Sequence, residues 1–208
     1  MIDMNSAVDR ILTTISNNKT ILIFGDYDVD GTTSAAFLTL FFQSINIESH
    51  YYIPSRENEG YGVSKQGIDY AKYIGVDIII TCDCGINAYD AVEYANENNI
   101  DVIITDHHKA GARLPDAHAV VNPNRQDCSY PFKGLCGAGV AFKLAMAICE
   151  KGGFDPELAW QHSDIITLGI AADLVPIQDE NRIVAHHGIR QMKKHTNPGI
   201  TALLETGG

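Results

Sequence analysis

The sequence predicts an α/β fold: a doubly wound, mainly parallel sheet with helices on both faces and a helical C-terminal part. Three observations carry that prediction. Short apolar runs rich in β-branched residues, Ile21 to Phe24, Val76 to Thr81 and Ile100 to Thr105, alternate with amphipathic segments of helical length. Each run stops in ligand-type side chains: Asp26, Asp28 and Asp30 after the first, Asp83 after the second, Asp106, His107 and His108 after the third. In an open parallel sheet such strand ends share one edge, and the crevice along that edge is where these folds bind ligands.

The elements follow in order. Asn5 to Ile15 places Val8, Ile11, Leu12 and Ile15 on one helical face. The first strand closes at Gly25, and after the three aspartates Thr32-Thr33-Ser34 leads a helix to about Ser44. His50 to Ile53 reads as a short strand, and residues 54 to 62 as a polar loop with Gly60 and Gly62. Ser64 opens a helix to Ile74, and Asn87 to Asn98 is helical between the second and third acid-ended strands. Ala119 to Val121 adds a further strand. Beyond residue 130 the pattern turns helical: Val140 to Glu150 after a glycine-rich start, a long helix from Asp155-Pro156 through Ala172, and Asn181 to Lys194. No strong stop closes residues 197 to 208.

With 208 residues and 45% hydrophobic content, the chain can bury a full core as one domain. No apolar run has the length of a membrane span and no signal pattern opens the chain, so a cytoplasmic protein is expected. Five scattered cysteines fit a reducing compartment and free thiols. Cys82 and Cys84, flanking Asp83, are expected on the opposite sheet face from it. A net charge of -11 excludes nucleic-acid binding through a broad basic surface, although cations among the acids would change the local sign.

Asp26, Asp28 and Asp30 crowd like charges where a strand becomes a helix, which is costly unless a cation sits among them. Hard divalent cations take oxygen ligands, so a metal site is expected here. A calcium loop of the helix–loop–helix kind is excluded, because its twelfth position, counted from Asp26, is Phe37. Asp83 is either a helix N-cap or, beside two other acid-bearing strand ends, a bridging metal ligand. Adjacent His107 and His108 are expected to point to opposite sides of the strand end, one to metal and one to substrate, with Asp106 orienting an imidazole. Asp173, at an apolar helix C-terminus, needs a positive partner, either a metal ion or Arg182. Gly137 and Gly139 open a helix whose amides could meet a phosphate or simply allow close packing. His162, His186, His187 and the tyrosines carry no pattern beyond surface and packing.

In this order these residues resemble the DHH phosphoesterase superfamily. The resemblance runs through Phe24 to Ala36, Ile53-Pro-Ser-Arg56 with Glu59-Gly-Tyr-Gly62, Asp83, Asp106-His-His108, Asn122-Pro123, Tyr130 to Leu144 and Ala172 to Pro176. The Asp26-Tyr-Asp-Val-Asp30 form and the glycine-rich Leu135 to Leu144 segment resemble its RecJ-type branch of single-strand DNA exonucleases. The resemblance implies two divalent cations, Mn²⁺ preferred or Mg²⁺. Asp26 and Asp28 would serve mainly one; Asp30, His107 and Asp173 mainly the other; Asp83 would bridge. His108, with Asp83 and Asp106, would carry the chemistry, and Arg56, His108, Gly137 and Gly139 would bind substrate. It further implies hydrolysis of single-stranded DNA from the 5′ end into 5′-mononucleotides, in DNA repair and recombination and alongside other repair proteins. Relatives acting on short oligoribonucleotides, cyclic dinucleotides or pyrophosphate are the enzyme alternatives; a replication-factor-like scaffold is the non-enzyme alternative. The catalytic domain is expected over residues 1–195, and residues 196–208 as the start of a connector to a second, substrate-binding domain.

Overall fold

The computed structural model of the chain describes residues 1–194 and 197–207. The expected boundary at residues 195 and 196 therefore lies outside the described residues. Five parallel strands, β1 (Ile21–Gly25), β2 (His50–Tyr52), β3 (Ile78–Cys82), β4 (Asp101–Thr105) and β5 (Ala119–Val121), form one sheet in the order β2-β1-β3-β4-β5. Leu22 pairs with His50 and Ile79 across β1, and Cys82 pairs with Thr105. The order reverses between β1 and β3, so the two strands that end in Asp26 and Asp83 flank the switch point where such sheets open a crevice.

Alternation along the strands builds two cores. Ile21, Ile23, Ile78, Ile80 and Ile103 face the larger one. There they pack under α1 (Met4–Ser16), α2 (Val29–Ser44), α5 (Gly137–Gly152), α7 (Ser163–Ala172) and α8 (Asp179–Met192). Leu22, Phe24, Ile79, Val102 and Ile104 face the smaller one under α3 (Lys65–Tyr73) and α4 (Tyr89–Glu97). Among the described residues no helix is long and apolar enough to cross a membrane. All five cysteines are free and buried.

Two expectations need correction. The long helix from Asp155 is broken into α6 (Glu157–Trp160) and α7, and the break lets Gln161 and His162 both reach the Ser44 hydroxyl of α2, at 2.8 and 3.0 Å. Cys82 and Cys84 do not share a face: β3 ends at Cys82, and the chain then turns through a left-handed Asp83 (φ 62°), so Cys82 joins the larger core and Cys84 the smaller. Pro198–Thr206 form α9, whose N-cap Asn197 accepts hydrogen bonds from the Gly199 and Ile200 amides.

Candidate metal centre

Three backbone hydrogen bonds set the acids in a row. The amides of Asp26, Asp83 and Asp106 donate to Cys82, Thr105 and Val121 respectively, at 3.2, 3.0 and 3.1 Å, so each acid is pinned one step beyond its strand to the end of the next. All three are buried. The sheet therefore carries its acids by the same ladder that holds it together.

α2 brings Asp30. Asp28 caps this helix by accepting from the Gly31 amide at 2.8 Å, and Gly31 is needed for close approach: a Cβ there would stand 2.6 Å from the Asp26 amide nitrogen and carbonyl oxygen. Asp30 accepts from the Gly137 amide at 2.5 Å and the Ala138 amide at 2.9 Å. The Gly139 amide donates to Cys136 Sγ at 3.4 Å. Of the two readings left open for Gly137 and Gly139, the one with amides free for a phosphate is corrected, and Gly137 instead allows close packing on Asp83. The helix N-terminus does attract an anion, but the anion is the chain's own Asp30 carboxylate.

His107 lies at the centre. Its Nε2 is 3.1 Å from Asp83 Oδ1, 3.6 Å from Asp173 Oδ2 and 3.7 Å from Asp30 Oδ2. Asp173 ends α7 as expected, and its partner is this imidazole; among the described residues no ion pair joins it to Arg182. His107 Nε2 and Asp83 Oδ1 are close but not aligned to share a hydrogen bond, and both are buried without a hydrogen-bond partner, as is Asp26 Oδ2. Octahedral Mg²⁺ ligands at about 2.1 Å stand roughly 3.0 Å from their neighbours, close to the His107–Asp83 spacing. Three orphaned polar atoms in a buried acidic pocket are the signature of ligands for a cation. The residues present fit the expected metal. Ligand atoms gather in two groups that share His107, Asp30 with His107 and Asp173, and Asp83 with His107 and His108, each within 4.8 Å; Asp26 and Asp28 follow the end of β1.

The two histidines do not point to opposite sides. Their ring centroids are 4.5 Å apart, because β4 has already ended and Asp106 Oδ1 gathers the His107 and His108 amides, at 2.7 and 3.0 Å, into a turn. The same oxygen accepts from His108 Nδ1 at 2.8 Å, while Asp106 Oδ2 accepts from the Ile86 amide at 2.9 Å. Asp106 is thus saturated, and it fixes the tautomer and direction of His108 as such carboxylates do. Asn122 and Asn124 hold the His108 and His107 carbonyls at 2.9 and 2.6 Å.

Electrostatics follow from burial. Burial raises the Asp83 pKa to about 7, with the Asp30 charge adding to it and His107 opposing it. Burial likewise raises Asp26 and Asp30, against the backbone amides that each accepts from. Asp106 goes the other way: burial opposes it, but the His108 ring and amide and the Ile86 amide hold it below the usual range. That contact carries His108 up to about 9, and Asp83 lifts His107 although burial pulls it down.

The residue-by-residue reading passed over Tyr61. Its hydroxyl lies 3.3 and 3.4 Å from the two ring nitrogens of His108, and burial and three nearby aspartates push its pKa up. The available signal was the glycine pair around it, Gly60 and Gly62, both at positive φ (80° and 83°), which folds the loop back over the sheet edge. Arg56, on the same loop, places its guanidinium 5.4 Å from the Tyr27 ring, at the rim of the cluster.

A parallel α/β domain whose sheet edge gathers carboxylates and an imidazole at the switch point defines a class: domains built to hold hard divalent cations. Residues 20–170 match the DHH family, N-terminal domain, and the chain belongs to that family. It is 42% identical over 205 residues to the single-stranded-DNA-specific exonuclease RecJ of Bacillus subtilis, covering 99% of this chain and 25% of that protein. With the protein of the same name from Escherichia coli it shares 38% over 214 residues, covering 97% of this chain and 37% of the other. The chain thus spans a quarter to little more than a third of these curated relatives. Among solved structures, exonuclease RecJ bound to manganese superposes with a TM-score of 0.89 at 30% identity, over 99% of this chain and 52% of that one. RecJ from Thermus thermophilus in complex with Mn²⁺ gives 0.84 at 28% identity, over 99% and 29%.

Proposed function

We propose that this chain is the catalytic part of a metal-dependent phosphodiesterase that hydrolyses single-stranded DNA from its 5′ end and releases 5′-mononucleotides. The observation that carries the reading is the set of buried ligand atoms that make no hydrogen bond, Asp26 Oδ2, Asp83 Oδ1 and His107 Nε2, in one acidic pocket. Several carboxylates crowded and buried around one imidazole are costly, and divalent cations remove that cost. The names of the relatives support the substrate, and the manganese-bound RecJ structures support the metal. We place the reaction in the cytoplasm, in DNA repair and recombination.

Asp30, Asp83, His107 and Asp173 would hold one cation, and Asp26 and Asp28, with Asp83 between, the other. Bound Mn²⁺ or Mg²⁺ supplies an activated water and neutralises charge on the attacking and leaving oxygens. The protein's own groups do the rest. The Gly137 and Ala138 amides keep Asp30 in place. Asp106 turns the His108 ring, and its carboxylate favours the protonated imidazole, which would serve as proton donor to a phosphate or leaving oxygen. Arg56, held by Tyr27 at the rim, meets the DNA backbone.

Incubating the metal-free chain with Mn²⁺ and a 5′-phosphorylated single strand, next to duplex, short oligoribonucleotide and pyrophosphate, tests the proposal. It predicts Mn²⁺-dependent mononucleotides from the single strand. Preferential hydrolysis of pyrophosphate or of the short oligoribonucleotide would overturn the substrate assignment, and no hydrolysis of any of them would overturn the activity.

A further inference from the structure

The metal cluster has two unlike flanks. On the larger-core side α2, α5 and α7 supply Asp30, its amide donors and Asp173. On the smaller-core side lies a cavity of about 390 Å³ between the loop before α3 and the β3–α4 connection, and His108 forms part of its wall. Tyr61, Val63, Gly85, Ile86 and Ala88 supply most of the remaining lining.

The chemistry of that wall selects its occupant. His108, at the edge toward the metal cluster, is the one side chain of the wall that can carry positive charge; no lysine or arginine lines it. Its polar members are already engaged: Asp106 accepts from Ile86, His107 and His108, and Asn87 accepts from the Gly111 amide at 2.9 Å. What remains is apolar surface and the ring of Tyr61. The neighbouring Tyr27 and His108 rings stand at 88° and 83° to it, so neither is stacked on it, and Tyr61 is 58% exposed. An open aromatic ring beside an apolar slot of this volume is suited to a flat heteroaromatic group. His108 Nδ1 is 3.7 Å from Asp83 Oδ1, so whatever fills the cavity lies against the reacting centre.

We infer that this cavity is a nucleobase subsite, in which Tyr61 stacks on the base of the nucleotide that carries the scissile phosphate. The inference rests on the phosphodiesterase reading and adds a location and a specificity to it. Because Asp106 and Asn87 are engaged within the chain and His108 is turned to the reacting centre, the subsite reads the presence of a base and not its identity.

Two measurements test it. In the first, wild-type chain with Mn²⁺ is given 5′-phosphorylated single strands that are intact or abasic at the nucleotide bearing the scissile phosphate. The abasic strand is expected to raise KM on the order of tenfold, in line with base–aromatic stacking, with little change among the four bases. Ala88→Phe, which fills the slot, and Tyr61→Ala are expected to abolish the difference between the two strands, while Tyr61→Phe keeps it. In the second, 2-aminopurine replaces that base and Ca²⁺ replaces Mn²⁺; emission is expected to fall on binding to wild type and not to Tyr61→Ala. Equal KM for abasic and intact strands, or a folded Ala88→Phe that retains the full preference, would overturn the subsite. Absence of cleavage with quenching intact would overturn the activity and leave the subsite standing; absence of quenching overturns the subsite whatever the activity.

Discussion

Asp83 occupies a left-handed backbone position, is buried to 1% exposure, and stands between both histidines and Asp30. In the metal-free protein its charge is therefore a liability. Asp83→Asn is expected to raise metal-free stability at pH 8, on the order of 1–3 kcal/mol, and to lose most of the Mn²⁺-induced rise in melting temperature. Thermal unfolding with and without Mn²⁺ measures both. The two imidazoles divide their work although they lie side by side. His107 Nε2 faces three carboxylates, whereas His108 Nδ1 is committed to Asp106. His107→Ala is expected to weaken Mn²⁺ binding; His108→Ala is expected to keep it and to lose rate on the order of 10²–10⁴-fold. Equal loss of Mn²⁺ affinity in both variants would contradict that division.

At the scale of elements, the start of α5 is fitted to the sheet edge. A Cβ on Gly137 would stand 2.4 Å from Asp83 Cβ, so Gly137→Ala is expected to cost on the order of 1–3 kcal/mol in urea unfolding and to weaken Mn²⁺ binding by displacing Asp83. Unchanged stability and affinity would show that the contact is not constraining. How legible each element was depends on how local its cause is. β1, β3 and β4 were legible because buried parallel strands are short β-branched runs, and their acid-bearing ends were legible with them. The Asn197-Pro198 cap of α9 is local too: an asparagine before a proline at the first helical position. The break before α7 has its cause on α2, at Ser44. Asp30 and Gly137 are 107 residues apart, so nothing near the glycines told that their amides serve a carboxylate. The opposed directions expected for His107 and His108 assumed that the strand continued, and the turn made by Asp106 removed that assumption.

For the molecule as a whole, a net charge of -11 is partly concentrated in one pocket, so stability and metal binding are coupled through protons. Asp83 holds a proton in the folded state up to about pH 7, where the unfolded chain has lost it above about 4. Across that window the unfolded state binds fewer protons, so this group makes metal-free stability fall as pH rises. His108, lifted to about 9, extends the same trend from its unfolded value of about 6.5 upward. Asp106 acts oppositely: its stabilisation is present above about pH 4 and is lost as pH falls through its lowered value. Melting temperatures from pH 5 to 9 are expected to decline without metal and to decline less with saturating Mn²⁺, which displaces the Asp83 proton. Parallel declines would contradict a shared site for protons and metal.

The central claim is that carboxylates and an imidazole from three strand ends and two helices form one divalent-cation centre. Calorimetric titration of Mn²⁺ into the metal-free chain at pH 7.5, in buffers of different ionisation enthalpy, tests it most directly. Saturable binding of about two ions with proton release is expected, and loss of the tighter phase in His107→Ala and Asp83→Asn. Weak, unsaturable binding without proton release, or equal affinity in those variants, would contradict it.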